Sequence, residues 1–365
     1  MKIICNKNEL LRGVNTALRA IPVRTTMSIL ECILIDATED IIKFTANDME
    51  LGIETIVEGE IIERGKIALE AKFLAEIIRK LPESEVEIES SDDFVTTITC
   101  GKYNMSFPGR ESDDFSYLPD IEKEKSIVIS QFTLKEIIRK TLFAVNDAES
   151  NKVMTGELFE INNDMLRVVG LDRYRVAINN IRLNGENEDI SVIIPGKTLN
   201  EISKILTGDA ESDVVISFSS NHVLFEFDNT VVLSRLIEGE FFKINQMISK
   251  DYKTMVTVNR KELIECIDRS TLLIKEGNKK PAVIDITDGN LNVSIASTFG
   301  KMNENIDADK KGDDIKIGLD PKYMLESLRV IDDDEISIYF MNSKAPCTIR
   351  DEEGNYIFLV LPVNY

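Results

Sequence analysis

The stretch "IPGKTLNEISKIL" (194–206) admits two readings, and the choice between them decides the fold. An alternating strand-type run, then Gly196-Lys197-Thr198, then a helical pattern is the context of a phosphate-binding loop. That loop needs a glycine five residues before Gly196 to wrap backbone N–H groups around a phosphate, and the position holds Ser191. The second reading is repetition. "LEAKFLAEIIRKL" (69–81) and "LDPKYMLESLRVI" (319–331) carry the same arrangement, and Lys72, Lys197 and Lys322 lie 125 and 125 residues apart. Each lysine precedes apolar residues at i, i+3, i+4 spacing, the signature of one buried helical face. Lys197 therefore follows a repeat and not a nucleotide.

A second set of helical stretches keeps the same period: "NKNELLRGVNTALRAI" (6–21), "QFTLKEIIRKTLFAV" (131–145) and "NRKELIECIDRSTLLI" (259–274), with Glu9, Glu136 and Glu262 spaced by 127 and 126 residues. Period-two alternation follows each second helix in "EVEIES" (85–90), "DVVISFSS" (213–220) and "EISIYFMN" (335–342). More lies between the helices, in "CILIDATEDIIKFTAND" (32–48), "LFEINNDMLRVVGLD" (158–172) and "AVIDITDGNLNVSIAS" (282–297), where Asp, Asn and Gly mark hairpin turns. The expectation is an α+β chain of three repeated units, each two helices packed on about eight antiparallel strands. Polar junctions near Asp120 to Lys125 and Lys250 to Thr254 divide it into domains 1–121, 122–252 and 253–365.

Composition removes several function classes. There is no run of about 18 apolar residues, and Lys2, Lys7 and Glu9 stand where a secretory signal needs an apolar stretch, so the cytoplasm is the expected location. The five cysteines, Cys5, Cys32, Cys100, Cys266 and Cys347, are scattered without a CxxC pair, which argues against a disulfide framework and a zinc site. His222 is the single histidine and sits at an expected hairpin turn; Asp332, Asp333 and Asp334 occupy a helix-to-strand turn and read as a solvated turn. No catalytic residue, cofactor or metal is expected.

Charge is distributed unevenly. The chain carries −21, yet the helical windows 6–24, 70–80, 131–146, 195–206, 259–280 and 319–330 carry +3, +1, +2, +1, +2 and 0, which is +9 together and leaves −30 elsewhere. Helices favour Lys and Arg in any case, but a threefold recurrence suits a basic helical face for a polyanion and an acidic sheet exterior.

The whole chain resembles the bacterial DNA polymerase III beta-subunit (sliding clamp) family. "RTTMSILECILI" (24–35), "TANDMELGI" (45–53), "GLDRYRVA" (170–177), "RLIEGEFF" (235–242) and the ending "YIFLVLPVNY" are similar, in order, to that family's Arg-Pro-Thr-x-Pro-Ile-Leu, Thr-Asp-Leu-Glu, Thr-Asp-Gly-His-Arg-Leu, Leu-x-Asp-Gly-x-Phe-Pro and Met-Pro-x-Arg segments. The chain departs from the pattern at Arg173-Tyr174 (Gly-His), Phe242 (Pro) and Asn364-Tyr365 (Arg).

The resemblance implies a ring of two head-to-tail protomers, lined by helices, through which duplex DNA threads without being read. Its partners would be a replicative polymerase subunit, a clamp loader and repair polymerases with clamp-binding peptides. It implies DNA-facing roles for Arg24, Lys72 and Lys197, to which helix position adds Arg139, Lys140 and Lys204. A dimer interface would pair Met105 and Phe107 with Leu272 and Leu273. A peptide pocket would gather Met154, Leu171, Tyr174, Arg175, Val176, Phe242, Met247, Leu359, Leu361, Pro362 and Val363. The competing reading is a repeat scaffold that does not encircle DNA.

Overall fold

The computed structural model describes all residues except 147, 249–250 and 275–279. The Lys250 end of the second expected junction and part of the 259–280 window lie outside the described residues.

The six expected helices form where the repeats place them: α1 (Lys7–Ala17), α2 (Ala71–Lys80), α3 (Gln131–Thr141), α4 (Gly196–Ile205), α5 (Arg260–Thr271) and α6 (Pro321–Arg329). Polar side chains cap α1, α2, α5 and α6, satisfying N–H groups that have no partner within the helix. Asn6 accepts from Asn8 N at 2.8 Å, Asn259 from Glu262 N at 3.1 Å and Asp320 from Lys322 N at 2.9 Å. Glu70 does the same for α2 through Lys72 N and Phe73 N. Each helix buries one stripe, Leu74, Ala75, Ile77 and Ile78 in α2 and Met324, Leu325 and Leu328 in α6, while Lys72 and Lys322 point outward.

The strands after the second helices run over Glu85–Ser90, Asp213–Phe218 and Glu335–Phe340. The first and third inter-helix stretches are hairpins: Leu34 pairs with Thr45, and Thr287 with Asn290 around Gly289, whose φ of 72° suits the tight turn. The middle stretch differs. Instead of turning at its Asn and Asp residues it continues as one strand, Gly156–Leu171, paired along its length with Arg175–Pro195. Asn163, at φ 58°, takes up the irregularity as a bulge, with register shifts on both sides. A long partner strand keeps the backbone paired through the bulge, which local turn chemistry does not reveal.

The chain forms two compact units, Met1–Leu134 with Asn200–Leu236, and Lys135–Leu199 with Ile237–Tyr365. The first unit holds a five-stranded sheet, with Tyr103–Pro108 at one edge, and an eight-stranded sheet in which Thr230–Arg235 pairs with Leu51–Val57. The second holds a ten-stranded sheet in which Arg175–Pro195 pairs with Tyr356–Val360. The middle repeat thus donates strands to both units, and hydrogen-bonded ladders, not loops, join successive repeats. The five cysteines are all buried and free.

Candidate functional site

The tail of the second unit organises the first candidate site. Asp172 makes a tight corner: its Oδ1 accepts from Tyr174 N at 2.7 Å and Arg175 N at 3.1 Å, and its own N–H donates to Arg175 O at 3.1 Å. The strand Tyr356–Val360 runs beside that corner, Val176 opposite Leu359, and the chain then continues as an extended tail. Leu361 N donates to Tyr174 O and Val363 N to Gly318 O, both at 2.8 Å. Gly318 is required there, because a Cβ would fall 2.5 Å from Val363 O and 2.6 Å from the Tyr365 ring.

Met154, Leu171, Val176 and Leu359 meet in one apolar cluster with Leu158, Val169, Ile178 and Ile244, flanked by Phe241 and Ile248. Phe242 and Met247 do not join it; they are 43% and 44% exposed. The turn Ile244–Gln246 sends Ile244 inward, and Phe241 takes the inner place beside it, its ring 6.0 Å from that of Phe242. Tyr174 stacks on Tyr323 of α6 with ring centres 5.6 Å apart, and these two rings, Pro281, Asp320 and Val363 line a cavity of about 80 Å³. Pro362 lies between the two anchored tail residues and is half-buried.

Arg175 has a different place from that of a free pocket cation. It is buried, pairs with Asp172 at 3.0 Å and with Glu326, and lies 4.7 Å from the Tyr323 ring centre and 5.3 Å from that of Phe143. Its charge is spent inside, so it braces the corner and leaves the groove apolar. Tyr323, Ile244, Phe241 and Gly318 escaped the sequence reading. Only Tyr323 had a local signal, an aromatic residue on the outward side of a helix.

The candidate DNA-facing cations fall into two groups. Arg24, beyond the N-terminal helix, and Lys72, in the first turn of α2, are exposed and make no ion pair among the described residues. Arg139 is held by Glu136, with Nε to Oε1 at 2.9 Å, and by Asp332 at 2.8 Å; Lys140 lies 3.4 Å from Asp332, and Lys204 lies 2.7 Å from Glu201. Lys197 is exposed at the start of α4, and Thr198 beside it is buried. Asp332 to Asp334 are thus more than a solvated turn. Asp332 pairs with α3, Asp333 accepts from the Tyr356 hydroxyl at 2.9 Å, and the backbone oxygens of Asp333 and Asp334 accept from Arg260.

Of the candidate interface residues, Phe107 is 7% exposed and packs edge-to-face on Phe73 at 5.2 Å, while Met105, on the same edge strand, is half-buried. Leu272 is 81% exposed at the C-cap of α5, one residue past the helix, and Leu273 is half-buried. His222 begins a strand, its Nδ1 2.7 Å from Asn221 Oδ1. Among the described residues no group of three His, Cys, Asp or Glu side chains could hold a metal, and no helix is long and apolar enough to cross a membrane.

Models of the DNA polymerase III beta-subunit N-terminal, central and C-terminal domains match residues 1–119, 128–243 and 245–363 in succession. The chain belongs to the DNA polymerase III beta-subunit family. Among the relatives of this beta-subunit chain are the beta sliding clamps of Bacillus subtilis, 35% identical over 378 residues, and Staphylococcus epidermidis, 34% identical over 376; each alignment covers 100% of this chain and 99% of the relative. Solved structures of the family superpose closely. A putative DNA polymerase III beta subunit from Eubacterium rectale matches with a TM-score of 0.97 at 56% identity over 100% of both chains. The Bacillus subtilis sliding clamp matches with a TM-score of 0.96 at 34% identity over 100% of this chain and 99% of that one.

Proposed function

We propose that this beta subunit is a DNA sliding clamp: a non-catalytic, cytoplasmic processivity factor of three domains, 1–121, 122–252 and 253–365. Two copies would close head to tail around duplex DNA and tether the replicative polymerase, with the clamp loader and repair polymerases competing for the Asp172 groove. The observation that carries this reading is the tandem match of all three family domains across the chain. The test is topological. Protein loaded onto nicked circular DNA is expected to stay bound through gel filtration and to run off when the circle is cut; equal loss from both forms would favour the scaffold reading.

Dimerisation is supported by Leu272, an apolar side chain left 81% exposed, and by the open edge of Tyr103–Pro108, whose outward N–H and C=O groups can pair with another strand. Replacing Leu272 and Leu273 together with alanine is expected to give a folded monomer by analytical ultracentrifugation at low micromolar concentration. Retained dimerisation would remove these residues from the interface. Phe107 is a poor test of the same idea, because its packing on Phe73 means that truncating it also damages the core.

DNA contact should be electrostatic and blind to sequence, with each neutralised phosphate adding about −0.9 to the log–log salt slope. Lys72→Ala and Arg24→Ala are each expected to flatten that slope by about one phosphate. Arg139→Ala should flatten it less, since Glu136 and Asp332 already share its charge. Equal effects at all three positions would show that these ion pairs open on DNA.

A further inference from the structure

The Asp172 corner has a counterpart in the first unit, built with the same hydrogen bonds 124 residues earlier. Asp48 Oδ1 accepts from Glu50 N at 3.0 Å and Leu51 N at 2.7 Å, and Asp48 N donates to Leu51 O at 3.0 Å. Arg235 N donates to Glu50 O at 2.9 Å, as Leu361 N does to Tyr174 O. The adjoining strands keep the register too, Leu233 lying opposite Gly52 as Leu359 lies opposite Val176. A cavity of about 200 Å³ opens at this corner, larger than the one at Tyr174.

Its chemistry differs from that of the other corner in one respect. Leu51, Leu118 and Leu233 supply an apolar lining, and Met49 and Tyr117, both more than half exposed, form its lip. Met49 is held at φ 76°, a conformation that an unbranched non-glycine residue adopts at a cost, so an apolar side chain is kept in water by a strained backbone. Arg175 at the second corner is buried between two carboxylates. Arg235, which lines the first, is exposed and makes no ion pair among the described residues. Its neighbour His222 is half-buried and lines the same cavity; burial and the nearby guanidinium push its pKa down, so the imidazole is neutral and does not compete for an anion. Glu50, the one carboxylate in the lining, makes no ion pair with Arg235 among the described residues.

We propose that this cavity is a second peptide site, which takes an apolar side chain adjoining a free carboxylate, the side chain between Leu118 and Leu233 and the carboxylate on Arg235. The likeness to a peptide site rests on the reading of the Asp172 groove given above; the demand for a carboxylate rests on Arg235 alone.

His222 is the only histidine of the chain, so its ring Cε1–H resonance reports on this cavity without assignment. The probe is N-acetyl-leucyl-phenylalanine, as the free acid and as the C-terminal amide, titrated into the full-length protein. The acid is expected to move the His222 resonance saturably and to raise the His222 pKa, because a bound carboxylate offsets the Arg235 charge. The amide should bind at least about tenfold more weakly, one charge-assisted contact being about 1.4 kcal/mol or more. Arg235→Gln, an exposed substitution, should abolish the difference between acid and amide. Protein lacking Leu361–Tyr365 should retain the His222 response even where the Asp172 groove has lost its ligand, which separates failure of this proposal from failure of that reading. No His222 shift at millimolar probe would overturn the proposal, and so would equal shifts by acid and amide that survive Arg235→Gln.

Discussion

Deletion of Leu361–Tyr365 is expected to weaken a fluorescent clamp-binding peptide by about 100-fold or more in an anisotropy titration. The deleted segment is the outer wall of the Asp172 groove, fixed by the Leu361 and Val363 N–H bonds and seated over Gly318. Apolar anchors in small pockets dominate such binding, each worth about 1 to 2 kcal/mol, and the deletion strips Leu361, Pro362 and Val363 from the wall together. Leu359 and the strand Tyr356–Val360 remain, so the cluster beneath the groove stays closed. Dimerisation and retention on circular DNA should be unchanged. Undiminished peptide affinity would put the partner site elsewhere.

The second large effect concerns stability. Glu157 is fully buried and neither carboxylate oxygen has a hydrogen-bond partner among the described residues; the nearby Thr141 hydroxyl donates instead to Ile137 O at 2.8 Å. Burial pushes the Glu157 pKa up to about 8 from its ordinary 4.5, the proximity of Thr141 offsetting only part of this. The folded protein therefore keeps this proton where the unfolded chain has lost it. Below the unfolded pKa both states are protonated and the group leaves stability unchanged. As pH rises from about 4.5 to about 8, the unfolded state gains by releasing the proton, and stability falls by up to about 1.4 kcal/mol per pH unit. Above about 8 the loss is complete. Glu157→Gln carries no such proton. Urea unfolding should find it within about 1 kcal/mol of the parent at pH 5 and more stable by about 4 kcal/mol at pH 8.5. Parallel pH profiles for the two proteins would show that Glu157 is solvated or paired in the native state.

The repeat carried most of what the sequence by itself determined. Lys72, Lys197 and Lys322 at a constant spacing located the second helices, and the alternation of "EVEIES", "DVVISFSS" and "EISIYFMN" located the strands after them, because helix and strand periodicities are local properties of side-chain order. The ending "LVLPVNY" was likewise legible as a strand followed by an apolar tail.

Tertiary structure alone decided what depends on which segments meet. Nothing near Asn163 announces a strand that runs through its turn signals; a partner 21 residues long does. Phe242 and Met247 stand outside the apolar cluster while Phe241 and Ile244 enter it, since a short turn sets which side chains face inward. Arg139 and Arg175 read as free cations in a chain of letters, but carboxylates 193 and 151 residues away neutralise them. Glu157 sits in a strand that gives no local sign of its burial, and the likeness of the Asp48 and Asp172 corners lies in backbone bonds that join residues far apart. Charge compensation and burial are sums over neighbours in space, and sequence order records only the neighbours along the chain.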